Sequence, residues 1–353
     1  MIPSDPRLTR LADAASLLLF GGDDDRRSEA AVMSLDRLFR DVTGLRENTV
    51  DLRDRSANSV AAGAAISPLD AGRCLLDVRR TAVYLRGVYH AFQEAQQRFP
   101  GEVIHVLYAG CGPFAPLCLP LLPLLAQKAV HFTLLDVHAR AIESVRAIMA
   151  ALRLQGANID CLVGDATHYR HPNQRPLHVV VSETMQRALE KEPQVAILMN
   201  TAPQLTAGGL MVPEMIAVDA VLTDLSQELG GNGVAAGPRA PALKPPSAHA
   251  LNPSPGRIPL GRVLEVDRER ACAWSAAGLS SHLPPVRVAL PSIVPPQYSL
   301  VLATTIRTFG ANLLREYESG LTHPLVVNGW RAGEELEFIY RLSQKPGFTW
   351  NAR

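Results

Sequence analysis

Val106-Leu107-Tyr108-Ala109-Gly110-Cys111-Gly112-Pro113 decides the reading of this chain. The apolar run predicts a buried strand, and the Gly-x-Gly that follows predicts a tight turn at its end. Working outward, the next apolar run, Phe132-Thr133-Leu134-Leu135-Asp136, ends in an acid, and a third ends in Gly164-Asp165-Ala166. Strand, glycine turn, helix, strand and acid form the layout of a nucleotide-binding α/β unit. Glycine lets the backbone approach a ligand with no β-carbon in the way. A carboxylate at the end of the second strand can accept from both ribose hydroxyls, and Asp165 suits an adenine amino group. The expected ligand contacts are therefore Tyr108, Gly110, Cys111, Gly112, Asp136, Val137, Asp165 and Ala166.

The spacing narrows the ligand. Dinucleotide sites use a third glycine and seat a diphosphate on the helix start. Here Phe114 replaces that glycine, and Pro113, Ala115 and Pro116 make a poor phosphate cradle. An adenosine without phosphates fits better, and the three signals together resemble the class I S-adenosylmethionine-dependent methyltransferases. The bland alternative is an α/β sheet in which Asp136 and Asp165 merely cap helices.

Bulk properties bound the rest. At 353 residues the chain can hold one large domain or two ordinary ones, and 47% hydrophobic residues suffice for a full core. A formal net charge of +1 offers no electrostatic case for nucleic acid or a membrane surface. The ten histidines lack metal-ligand spacing, so no metal is expected. The five cysteines form no Cys-x-x-Cys pair and mostly sit in apolar runs, which reads as buried thiols in a reducing cytoplasm. No signal peptide is visible, and the most apolar stretch, residues 114–126, is too short and proline-rich to span a bilayer. It reads as a core helix with an irregular start.

The organisation expected is α/β with helices in front and an antiparallel β domain behind. Residues 1–98 read as an N-terminal helical region, with helices near 11–20, 31–42 and 67–97 and an exposed turn at 23–27. Residues 99–220 read as a Rossmann-like domain. Its strands fall at 103–108, 131–136, 158–163, 177–182 and 209–218, and its helices at 114–127, 139–154 and 188–206. Residues 229–258 form a Pro/Gly-rich loop. Residues 259–353 form a β-rich substrate domain, with strands at 260–266, 284–290, 298–307, 323–328 and 335–343 and one short helix near 311–317.

Two further motifs carry chemistry. Asp77-Val78-Arg79-Arg80-Thr81 lies on the helix before the first strand, where an Arg can hold a ligand carboxylate in a bidentate pair. Ser182-Glu183 follows the fourth strand, and Glu192 lies nine positions on. Carboxylates at strand ends in an open α/β sheet face the ligand crevice. Two of them could grip a cationic nitrogen, or raise one another's pKa so that one acts as a base. The plain alternative for Glu190 and Glu192 is an exposed helix start.

From about residue 67 to its end the chain resembles the protein arginine methyltransferases. Their helix motif Asp-x-x-Arg-Thr-x-x-Tyr matches Asp77, Arg80, Thr81 and Tyr84. Their paired-glutamate hairpin matches Ser182, Glu183, Met185 and Glu192. Their Gly-Gly-x-x-x-Pro step matches Gly208, Gly209 and Pro213, and their Thr-His-Trp loop is echoed by Thr322-His323. The resemblance implies a class I methyltransferase Rossmann-like sheet followed by a β-barrel domain, with S-adenosyl-L-methionine as cofactor and a homodimer as one assembly. It implies that Arg80 holds the cofactor carboxylate and Asp136 its ribose, with Ser182 beside them. Glu183 and Glu192 would hold the substrate nitrogen, with His323 in the catalytic set.

The departures are Tyr108 where the family has an acid, Thr184 and Gln186 where its hairpin has Trp and Gly, and Pro324 after Thr-His. Residues 1–66 show no counterpart of the family's aromatic lid, and its dimerisation arm is not evident. These changes point to the same scaffold with another acceptor: a small molecule, an amino acid or an arginine-like group. Two other outcomes stay open. One is attack on the aminocarboxypropyl chain, by cyclisation or transfer, releasing methylthioadenosine; azetidine-2-carboxylate formation is an example. The other is a non-catalytic S-adenosylmethionine-binding module.

Overall fold

The computed structural model describes residues 5–22, 24–125, 129–154, 158–229 and 256–353. The chain opens on helices α1 (Pro6–Phe20), α2 (Asp25–Thr43) and α3 (Leu52–Arg55), then a hairpin of β1 (Asn58–Val60) and β2 (Gly63–Ala65). Helix α4 (Pro68–Arg73) and a 3-10 turn lead into α5 (Val78–Arg98). The expected single helix over 67–97 is thus two, because Asp77 leaves helical geometry and caps α5 by accepting from the Arg80 amide. Likewise Asp24, expected in an exposed turn, caps α2.

The central sheet contains β3 (Ile104–Ala109), β4 (Val130–Asp136), β5 (Ile159–Val163), β6 (Leu177–Ser182) and β7 (Leu205–Val212). All pairings are parallel, in the order β5-β4-β3-β6-β7. Helices α6 (Ala139–Ala151) and α7 (Gln194–Thr201) serve as crossovers. The strand order reverses between β3 and β6, so a crevice opens outside their carboxyl ends. Pairing of Ala109 with Ser182 sets the Gly110 turn beside Glu183.

Three expectations fail here for identifiable reasons. The helix expected over 114–127 is irregular, with one 3-10 turn at Leu119–Leu121 among the described residues, since Pro116, Pro120 and Pro123 remove backbone donors. The helix expected over 188–206 shortens to α7, because Ala188, Leu189 and Lys191 adopt positive φ. The strand expected over 209–218 is two strands, broken at Pro213-Glu214.

The second of those strands, β8 (Met215–Thr223), belongs to the antiparallel part of the molecule. Helix α8 (Leu225–Glu228) follows, and then β9 (Ile258–Asp267), α9 (Arg268–Ala276), β10 (Val286–Ala289), β11 (Ser299–Phe309), β12 (Asn312–Leu314), β13 (Leu325–Val327), β14 (Glu335–Arg341) and β15 (Gly347–Ala352). They form one sheet ordered β12-β11-β8-β9 with β13 beside β11, and a second ordered β10-β14-β15. The short helix expected at 311–317 is instead β12, folded back on β11. Helix α9, which the sequence reading omitted, is capped by Asp267 accepting from the Arg270 amide.

Most of the expected 229–258 loop, residues 230–255, lies outside the described residues. Its two flanks meet. Arg257 donates to both oxygens of Glu228, at 2.5 and 2.9 Å, and Thr223 and Tyr317 donate to the same carboxylate. Burial raises the Glu228 pKa, but these donors outweigh it and hold the carboxyl below its usual range.

At the amino ends of the parallel strands, register sets His105 of β3 beside His131 of β4, and β6 brings His178 to the other side. His171 completes the group. Burial, and then the neighbouring imidazoles and Arg175, push the His105 pKa down to about 4, and His171 moves the same way. A histidine kept neutral in the fold leaves stability intact above the unfolded value of about 6.5. That stability is then lost as pH falls from there toward 4. Denaturant unfolding at a series of pH values should show this loss, and His105→Gln should flatten the slope between pH 6.5 and 4.

Candidate functional site

A cleft opens at the carboxyl ends of β3, β4, β5 and β6. Tyr108, Gly110, Cys111, Gly112, Asp136, Val137, Asp165 and Ala166 all line it, and so do Glu183 and Glu192. Five separate stretches of sequence therefore converge on one cavity.

The glycine turn is stitched to the end of β4 by the amides of Gly110 and Cys111, which both donate to the Leu135 carbonyl. Gly110 and Gly112 have φ of 72° and 64°, the left-handed region. A β-carbon on Gly110 would stand 2.2 Å from the Thr184 methyl group, so glycine is required there twice over. Asp136 accepts from the Gly112 amide at 2.8 Å and the His138 amide at 2.9 Å, one on each oxygen. Burial raises its pKa, against which these two amides work. Asp165 uses one oxygen on the amide and hydroxyl of Thr167; the other has His168 at 3.4 Å. Burial drives the Tyr108 phenol and the Cys111 thiol far above their ordinary ranges, so both are neutral walls. His138 also lines the cleft, and its buried Nε2 lacks a hydrogen-bond partner.

Glu183 pairs with Arg80 through Oε2, both side chains largely withdrawn from solvent. Its other oxygen, Oε1, is buried with no partner. Glu192 is buried rather than on an exposed helix start. That burial raises its pKa, opposed by the Arg80 charge and a hydrogen bond from Gln186.

The loop between the two glutamates is strained. Ala188, Leu189 and Lys191 have φ of 48°, 59° and 71°. Each such residue costs about 1–3 kcal/mol and persists only where its surroundings impose it. The β domain imposes it: the Ala188 amide donates to Thr304 Oγ1, Tyr340 Oη donates to the Leu189 carbonyl, and the Lys191 amide donates to the Pro346 carbonyl. From the other side the Ala64 amide of the β1–β2 hairpin donates to the Lys191 carbonyl.

That hairpin corrects one expectation. Residues 1–66 do contribute to the cleft: Gly63 lies against the Glu192–Pro193 backbone, and Val60, Ala65 and Ile66 line the cavity. Their small aliphatic side chains replace the aromatic signal the sequence reading sought.

Three expected site residues sit apart from the cavity lining. Ser182 is fully buried, and its hydroxyl bonds within the protein to Gln194 and Thr184, so it offers a ligand nothing. Arg80 lies beneath the cleft, engaged with Glu183. His323 is outside it: the preceding Ser319 and Gly320 dock on Asp77 at the start of α5, and the ring packs toward Tyr317. Burial lowers its pKa, and it is not among the residues that line the cleft. The sequence reading missed Gln194 and His138; a polar residue two positions after each motif acid is the signal they carried.

No protein-family model and no curated protein sequence matches the chain. Among solved structures it is similar to a chain of the Trypanosoma brucei PRMT1 enzyme–prozyme heterotetrameric complex with AdoHcy. The two share 14% identity at a TM-score of 0.49, over 79% of this chain and 91% of that one. Each placement above stands on the geometry of this chain alone.

Gly110→Ala brings a β-carbon onto Thr184 at a left-handed position. It should destabilise the fold by about 1–3 kcal/mol, measured as a lowered urea midpoint with unchanged slope.

Proposed function

We propose that the protein is an S-adenosylmethionine-dependent methyltransferase that acts on a nitrogen of a small molecule, an amino acid or an arginine-like acceptor. The observation that carries this reading is the convergence in one cleft of the glycine turn, Asp136, Asp165 and the Glu183–Glu192 hairpin.

The residues present fit the cofactor. Each oxygen of Asp136 receives one backbone amide, which leaves lone pairs for the ribose hydroxyls. The less engaged oxygen of Asp165 suits the adenine amine. Gly110 and Gly112 allow close approach, and the walls around them are apolar or neutral. S-adenosylmethionine would supply the transferable methyl group on its sulfonium. By the family resemblance Arg80 would hold the ligand carboxylate, with donors to spare beyond Glu183, although it would first have to reach the cleft from beneath its lining.

Glu183 Oε1, unpartnered and buried, would orient the acceptor nitrogen and disperse positive charge as it develops there. Glu192, with its pKa raised by burial, suits acceptance of the proton that the acceptor must lose. Val60 and Ala65 of the β1–β2 hairpin line the same cleft as both glutamates. Free cysteines among the described residues support a reducing compartment such as the cytoplasm, and no helix among them is long and apolar enough to cross a membrane. A homodimer remains part of this reading by family resemblance.

Mass spectrometry of products after incubation with S-adenosylmethionine and a panel of amines tests the proposal. S-adenosylhomocysteine together with a methylated amine supports it. Methylthioadenosine released from the cofactor alone would support cyclisation instead, and absence of affinity for the cofactor would leave neither reading standing. With an acceptor in hand, Glu183→Gln should lower kcat about 100-fold or more while the affinity for S-adenosylhomocysteine stays within about threefold.

A further inference from the structure

Gln194, the first residue of α7, is completely buried. Its side-chain oxygen accepts from the Thr184 amide and the Thr184 hydroxyl, both at 2.8 Å, and from the Ser182 hydroxyl at 3.2 Å. Its amide nitrogen donates to the Ser182 carbonyl at 3.1 Å. A carbonyl oxygen has two lone pairs, so the two shorter bonds saturate it. Every one of these contacts falls on the two residues that flank Glu183.

Gln194 is also joined to Glu192 across the single residue Pro193. One side chain thus ties the two ends of the glutamate hairpin together, while the middle of that hairpin is held by the β domain. Thr184 extends the tie toward the sheet, because its methyl group occupies the space over Gly110. With both flanking residues held and Oε2 on Arg80, Glu183 Oε1 has one place to stand. A buried amide with all four of its hydrogen bonds turned on this short segment is more than filler, since an aliphatic side chain of like volume would pack there with no polar group to satisfy.

We infer that Gln194 is a positioning residue that sets where Glu183 Oε1 stands in the cleft. The inference rests on the methyl-transfer reading, in that it takes Glu183 to face the reacting nitrogen. Gln194 touches no reacting atom and acts through Ser182 and Thr184.

Titration calorimetry with two probes tests it. One is S-adenosylhomocysteine, a neutral thioether at the reacting position. The other is sinefungin, which carries a protonated amine there. The affinity ratio of the two reads the negative charge that Glu183 presents at that point. The wild-type protein should prefer sinefungin. Gln194→Leu should lose about tenfold of that preference, a loss of the size expected for a displaced charge contact, while S-adenosylhomocysteine affinity stays within about twofold. Thr184→Val keeps the branched shape over Gly110 and removes the hydroxyl's bonds to Gln194 and Ser182, while the Thr184 amide still donates to Gln194. It should move the ratio in the same direction by less, and it decides the matter should Gln194→Leu fail to fold. A merely structural role would weaken both probes alike or neither, and an unchanged ratio in the folded variants overturns the inference. So does a wild-type protein that binds both probes equally. Wild-type binding of neither probe is a different failure, that of the methyl-transfer reading itself.

Discussion

The constraint on which the site depends is the left-handed stretch from Ala188 to Lys191. Three non-glycine residues with positive φ are held within four positions, an arrangement no isolated loop would keep. The bonds that hold it come from Thr304 and Tyr340 in the antiparallel sheets, from Pro346 in the turn between β14 and β15, and from Ala64 in the N-terminal hairpin. The β domain is therefore the clamp on the glutamate hairpin, although the residues that line the cleft all precede it. Folding of the two parts is linked through this loop.

Beneath the loop lies the Arg80–Glu183 pair. Two charges withdrawn from water stabilise a fold only when each has a partner, and loss of one commonly costs about 3–5 kcal/mol. Arg80 comes from α5, whose start is set by Asp77, and Asp77 in turn receives Ser319 and Gly320 of the β domain. A single aspartate thus links the helix that presents Arg80 to the distant loop that ends in His323. That explains why Thr322-His323 can accompany a site without entering it.

Much of this was legible in the sequence, for reasons that differ by element. The first four parallel strands could be read because each is an apolar run closed by glycine or an acid. The cleft residues from Tyr108 to Ala166 were found because strand ends point there. Where reading failed, a long-range contact had overruled a local pattern. The segment over 188–206 is periodic enough for a helix, but bonds from far along the chain bend its first turn into left-handed geometry. Ser182 carries the right spacing, yet its hydroxyl turns inward to Gln194, a partner twelve positions away. The N-terminal contribution to the cleft comes from Val60, Ala65 and Ile66, whose small side chains give no motif at all.

The ends of the segment between β8 and β9 are joined by a two-pronged grip of Arg257 on Glu228, with side-chain exposures of 12% and 1%. Pairing of Leu222 with Ile258 continues the ladder directly inside that grip. The ladder is thereby closed off at these two residues. Closure of a longer loop costs only about 0.6 kcal/mol per doubling of its length. This makes the position a natural port for grafting, where a segment of another length, or a whole guest module, can be spliced in while the cleft on the far side keeps its shape.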